Sequence, residues 1–465
     1  MPRSETDSIG CRELPDTALY GVNTLRAVEN FDISPLSISS EPAFIRALAA
    51  IKKAAAQANG EIGVLQPEQT KAITAACDEI LSGKHHEQFV VNLLEGSGGT
   101  SINMNINEVI ANRALQVLGH AAGEYQHLSP NDHVNTGQST NDVVPSAVKL
   151  AVLEKAPALT AALGHLADAF QAKVGEFADV LKIGRTCMQA AQPMTLGQEF
   201  GGYAAAISRA RAKIEAAMAD LQVLPLGGTA IGTGLGAQPG YREAVYRHLS
   251  ASLNLPLRPA GNMFDGMQNA DSFARVSAEL RIAAEVIGKI SLDLIILSSG
   301  TKSGIGEIKL PAVQPGSSIM PGKVNPVLPM MMQQVAYAVA GNDAAVSLAA
   351  LGGQLEINHF EPLIASRMFD SLDLLTRGSR IFAGKCISGI RALEEQALEN
   401  LMGSSALATV FVPRFGYEKV SQIVKQAEAD GKDFVSVLQE MGVLSEAEIT
   451  QALRKAACPP AHGQG

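Results

Sequence analysis

Tryptophan is missing from the chain, and aromatic residues make up only 5% of it. That is poor material for a β-sandwich, whose strands draw on aromatic and β-branched side chains. Cysteine is sparse as well, and Cys11, Cys77, Cys187, Cys386 and Cys458 lie far apart with no C-x-x-C pair. Neither a disulfide scaffold nor a structural zinc site is expected. No run approaches the roughly 18 apolar residues of a membrane span. The first ten residues, MPRSETDSIG, lack the apolar stretch of a secretory signal. There is no Lys/Arg block either. With 37 basic against 46 acidic residues the net charge is -9, which argues against a nucleic-acid binder working by bulk charge. A reduced, cytoplasmic protein is expected, and its acidic balance looks ill suited to an anionic substrate.

What remains is a chain of 465 residues, 46% hydrophobic and 18% charged. Such a composition buries a large core and excludes global disorder; the length suggests about three domains. Small and aliphatic residues dominate and suit close-packed helices. In Ser272–Ser298 an apolar seam, Phe273, Val276, Leu280, Ala283, Ile287, Ile290, Leu294 and Leu297, steps by three and four without a break. That spacing predicts a long bundle helix. Ile282, Val286 and Ile295 lie off the seam, so a second face is apolar and neighbours from other subunits are expected. Further helices are expected over 143–177, 198–222 and 329–351, with breaks at 224–240 and 298–325 and a short low-complexity tail at 459–465. The expected class is all-α. A mainly helical N-terminal part (1–140) precedes a central helical bundle (141–395) and a small C-terminal helical part (396–465).

Four segments concentrate small hydroxyl, amide and glycine residues: 96–105, 135–142, 184–189 and 316–326. Each is read as abutting a helix, where hydroxyls and free N–H groups form anion sites. Any one alone reads as ordinary helix capping. Four together point to a helical enzyme that binds a small anion without metal, and no cofactor is expected.

The last segment, Gly316-Ser317-Ser318-Ile319-Met320-Pro321-Gly322-Lys323-Val324-Asn325-Pro326, resembles the signature loop of the aspartase/fumarase superfamily. The other three resemble that superfamily's remaining shared stretches in the same order, and the resemblance runs from about Leu14 to Leu453. It implies a homotetramer with a multi-helix core, active sites built from three subunits, and reversible elimination from a succinyl skeleton to release fumarate. The residue roles it implies are these. Ser317 is the base, used as an alkoxide on a loop at about 314–326. Thr100, Ser139, Thr140 and Ser318 grip the carboxylate that becomes the aci-acid. Thr186, Lys323 and Asn325 hold the other carboxylate, while Asn141 and Cys187 face the leaving group. A serine hydroxyl is a very weak base, so this role demands strong local positive potential.

Tyr20–Phe31, Gly341-Asn342-Asp343, Glu361–Ile364 and Lys385–Ile390 resemble aspartases more than fumarases. Anti-elimination of ammonia from L-aspartate is therefore the leading expectation, with a fumarase or a lyase for an N-substituted aspartate as the alternatives. Four positions depart from the family pattern. Cys187 replaces the usual His or Gln and is a weaker, smaller donor. Glu95 replaces Gln and brings negative charge near a dianion site. Ser129 stands before Pro130-Asn131 in place of His, and Val412-Pro413 replaces Asn-Pro. Glu108, His133 and His359 read as structural, and His85-His86 as a solvated pair without a third metal ligand.

Overall fold

The computed structural model describes residues 2–300 and 303–457; Cys458 and the 459–465 tail lie outside the described residues. Helices take up 64% of the described residues. Among the described residues the strands form only four two-stranded sheets, so the all-α expectation holds. The long helices are Thr140–Glu176, Leu196–Met218, Asp271–Leu297, Val327–Leu351 and Glu361–Lys385. The seam read from the sequence is the buried face of Asp271–Leu297, since all eight of its residues are at most 5% exposed. Ile282, off that seam, is 40% exposed.

The chain forms two compact units, each assembled from three stretches. One comprises 1–160, 212–282 and 338–374; the other comprises 161–211, 283–337 and 375–465.

In the first unit, helix Pro42–Glu61 packs against Pro67–Leu81, Thr100–Val117 and Tyr241–Leu253. Its alanine-rich face lets the neighbours approach closely, and fourteen of its twenty residues are buried. Glu108, on Thr100–Val117, is 1% exposed and has the structural role expected of it. Its carboxylate accepts from the N–H groups of Gly21, Asn23 and Thr24 at 2.8, 2.9 and 3.1 Å, and from the Thr24 hydroxyl at 2.6 Å. It thereby satisfies free donors at the start of helix Val22–Asn30.

In the second unit the C-terminal helices share an apolar cluster that includes Leu401, Phe411, Phe434, Leu438 and Leu453 together with Leu181 and Ile183. Those last two belong to a hairpin of Leu181–Thr186 and Gln189–Thr195. The third polar segment therefore lies at a hairpin tip and not, as expected, at a helix start. Leu181 and Ile183 anchor the strand in the C-terminal core, while Lys182 pairs with Glu199 and, at 3.0 Å, with Glu307. These partners come from distant sequence, so no local pattern revealed the strand.

Candidate active site

The candidate residues fall into two groups: Thr100, Ser139, Thr140 and Asn141 in the first unit, and Thr186, Cys187, Ser317, Ser318, Lys323 and Asn325 in the second.

In the first group two helices begin side by side. Thr100 opens helix Thr100–Val117, and Thr140 opens Thr140–Glu176. Gly99 carries the chain into the first helix at φ +89°, and a Cβ there would lie 3.1 Å from Val144, so only glycine lets the two starts approach this closely. Asn103 Nδ2 donates to Thr140 Oγ1 at 3.3 Å and to Asn135 Oδ1 at 3.1 Å. Both helix starts thus present N–H groups and hydroxyls in one region, the arrangement that holds an anion. Thr100 is exposed, and Ser139, Thr140 and Asn141 are half-buried. Glu95, which looked like unwelcome charge, is turned inward. Its carboxylate accepts from the N–H groups of Ser97 and Gly99 and braces the glycine-rich turn.

Beneath the second helix start lies a buried polar network that the sequence reading left out. Lys52 is 0% exposed and donates to Asn135 Oδ1 at 3.0 Å and Gln138 Oε1 at 2.9 Å. Asp142 is 0% exposed and accepts from the N–H groups of Ser139 (2.9 Å), Gly227 (2.9 Å) and Thr229 (3.0 Å). Asn141 donates to Ala230 O at 2.7 Å, which leaves its Oδ1 as an acceptor. Lys52 sits one turn from Leu48, Ala55 and Ala56, all buried; a lysine on the apolar face of a helix was the available signal.

Burial pushes Lys52 down to about 7 against the opposing charge of Asp142. Burial likewise pushes Asp142 up to about 6, opposed by its three backbone donors and by Lys52. An unfolded lysine keeps its proton to about 10.4, so folding expels that proton between roughly pH 7 and 10. Stability should therefore rise with pH across that window by up to ~1.4 kcal/mol per unit. Asp142 acts in the opposite sense and lower, with stability falling as pH rises from about 4 to about 6. Lys52→Met should flatten the slope above pH 7 and keep the lower limb. Urea midpoints at half-unit pH steps test this; an unchanged upper slope refutes it.

In the second group, Thr186 pairs with Gln189 across the hairpin. Cys187 and Met188 form the two-residue turn at φ +51° and +63°, the double left-handed geometry of a type I′ turn. Thr186 and Cys187 are both exposed. Below them Glu307 is 0% exposed. Burial raises its pKa, but the charges of Arg185 and Lys182 and the Asn400 amide outweigh that effect and hold the carboxyl below its usual range.

The 314–326 loop is tied at its neck. Gly316 N donates to Lys323 O at 2.7 Å, and Asn325 Nδ2 donates to Gly316 O at 2.8 Å. A Cβ on Gly316 would lie 2.7 Å from both Asn325 N and Lys323 O, so the neck closes only around glycine. Ser317 Oγ accepts from the N–H groups of Ile319 and Met320 at 3.2 and 3.0 Å. Positive potential at this hydroxyl thus comes from the backbone, and among the described residues Lys323 makes no hydrogen bond to it. Ser318 and Lys323 are exposed. Gln314, Ser317, Met320, Lys323 and Val324 help to line a cavity of about 530 Å³. Among the described residues no hydrogen bond joins the hairpin tip to this loop.

The histidines read as structural are accounted for. His133 Nδ1 accepts from Ser129 N at 2.8 Å, and the His359 ring lies 4.3 Å from that of Phe360. His85 and His86, expected to be solvated, are instead half-buried, with His85 meeting Glu79 at 2.8 Å and His86 meeting Ile80 O at 2.9 Å.

Residues 10–341 match the family described as Lyase, and residues 407–457 match Fumarase C C-terminus. The chain is 44% identical over 447 residues to an aspartate ammonia-lyase of Helicobacter pylori, covering 96% of each. Its structure is similar to a fumarate lyase:delta crystallin of Brucella melitensis determined with bound cobalt, at a TM-score of 0.96 and 47% identity over 99% of this chain and 100% of that one. A class II fumarase of Schistosoma mansoni is similar at a TM-score of 0.92 and 34% identity, over 99% of this chain and 100% of that one.

Proposed function

This chain belongs to the aspartase/fumarase superfamily of lyases, and from that premise we propose that it eliminates ammonia from L-aspartate to release fumarate. It is a carbon–nitrogen lyase. The observation that carries the chemical reading is the Ser317 hydroxyl, which receives two backbone N–H groups on a loop closed by Gly316. Donors aimed at an oxygen favour its charged form, which is what an alkoxide base needs. In this reading Ser317 takes the proton next to one carboxylate. Thr100, Ser139, Thr140 and Ser318 receive the charge that develops there, and Thr186, Lys323 and Asn325 hold the second carboxylate. Asn141 presents its free Oδ1 to the departing ammonium, an acceptor facing a donor. Incubation with L-aspartate should produce the ultraviolet absorbance of fumarate. No signal at high enzyme concentration, with turnover of L-malate instead, would favour the fumarase alternative.

Cys187 bears on the choice of amine. A thiol is a weaker and smaller hydrogen-bonding group than His or Gln, and it leaves room for a substituent on nitrogen. Cys187→Gln should raise the rate with ammonia relative to larger amines when fumarate is the acceptor. Equal changes for every amine would remove position 187 from leaving-group selection.

We further infer a homotetramer with each active site drawn from three subunits. Exposed apolar residues on the long helices support it: Leu292 is 45% exposed, and Tyr337 and Leu348 are each 69% exposed. Light scattering on the purified protein decides the mass. Among the described residues no helix is long and apolar enough to cross a membrane. The free thiols of Cys11, Cys77, Cys187 and Cys386 fit the reducing cytoplasm proposed as its location.

A further inference from the structure

The turn that follows helix Thr100–Val117 brings together three potential metal ligands that the elimination reaction does not use. His120, Glu124 and His127 each offer one donor atom, and these atoms all lie within 4.8 Å of one another. His120 Nδ1 is 3.2 Å from Glu124 Oε2, and the two imidazole rings stack with centroids 3.9 Å apart. The His127 ring nitrogens have no hydrogen-bond partner among the described residues, unlike those of His85 and His86. His120 and Glu124 are half-buried and His127 is exposed, so the site opens to solvent on one side.

We propose that His120, Glu124 and His127 form a binding site for a first-row transition-metal dication such as zinc. Two imidazoles and one carboxylate are a donor set that zinc accepts, with water completing the coordination. Bonds of about 2.0–2.2 Å to each donor require the stacked rings to hinge apart and turn their lone pairs to one point. The exposed His127 side chain is free to make that motion, while the backbone beneath is already fixed. Gly123 N donates to Asn112 Oδ1 at 2.7 Å, and Asn112 Nδ2 donates to the Tyr125 hydroxyl at 3.0 Å. Tyr125 in turn donates to Glu5 at 3.1 Å. His120 N is held by Leu115 O at 2.9 Å and His127 N by Glu124 O at 3.0 Å. Binding therefore orders side chains only, which keeps its entropic cost low. A bound ion ties the turn that joins the helix opened by Thr100 to the segment carrying Ser139–Asn141, and it acts as a clamp outside the chemistry.

The test is calorimetric titration of Zn²⁺ into metal-stripped, tag-free full-length protein at neutral pH with excess Mg²⁺ present. Magnesium prefers oxygen ligands and should not compete. We expect one zinc ion per chain with a micromolar dissociation constant. His127→Ala and His120→Ala should each weaken binding by about 100-fold while leaving turnover of L-aspartate in chelator unchanged. The idea is overturned by the absence of binding below millimolar zinc, or by binding that both variants retain in full.

Discussion

Ser317→Ala is expected to lower kcat by about four orders of magnitude while leaving the melting temperature within about 1 °C of the parent. The loss follows from removing the atom proposed to take the proton. The unchanged stability follows from where the hydroxyl sits. Ser317 is half-buried and its two donors belong to the exposed residues Ile319 and Met320, so water replaces the lost acceptor. The neck of the loop does not depend on this side chain, because it is closed by Gly316, Lys323 O and Asn325. Steady-state kinetics and a thermal melt on the same preparation check both halves. Residual activity within tenfold of the parent would take Ser317 out of the base role. A large drop in melting temperature would mean that the loop had been misread as structurally self-sufficient.

Lys323→Ala should raise KM for L-aspartate about 100-fold with a smaller fall in kcat. A charged hydrogen bond to a substrate carboxylate contributes about 1.5–3 kcal/mol, and each 1.36 kcal/mol is a factor of ten. The carboxylate that Lys323 is proposed to hold is charged in ground and transition state alike. Its loss therefore weakens binding more than it slows chemistry. The side chain is exposed, and the backbone groups of Lys323 that close the loop survive the substitution. Lys323→Arg, which keeps the charge, should recover most of the affinity. Equal damage from Ala and Arg would show that the position matters for loop shape and not for charge.

Much of this could be read from the sequence. The seam from Phe273 to Leu297 fixes one long helix and its buried face, because a period of three and four residues is local information. The four polar segments and their order identify the superfamily, since small hydroxyl and amide residues beside glycine are needed wherever backbone and side chain together hold an anion. Even the net charge of -9 ceased to be an obstacle once those segments were seen, because a local cluster of helix starts decides the potential that a small dianion meets. What the sequence could not supply depends on contacts across great distances along the chain. Lys52 finds Asn135 across 83 residues and supports the start of the helix that carries Thr140. Glu95 reads as a hostile charge even though its partners are local, because only the folded turn aims its carboxylate at the N–H groups of Ser97 and Gly99. The segment 184–189 reads as a helix approach until Leu181 and Ile183 are packed into the core of the C-terminal helices and Lys182 is paired with Glu199 and Glu307. The sequence by itself determined the superfamily and, through it, which residues are proposed to carry the chemistry. The tertiary structure alone decided what holds those residues in place, because buried polar partners are chosen by the folded path and not by spacing.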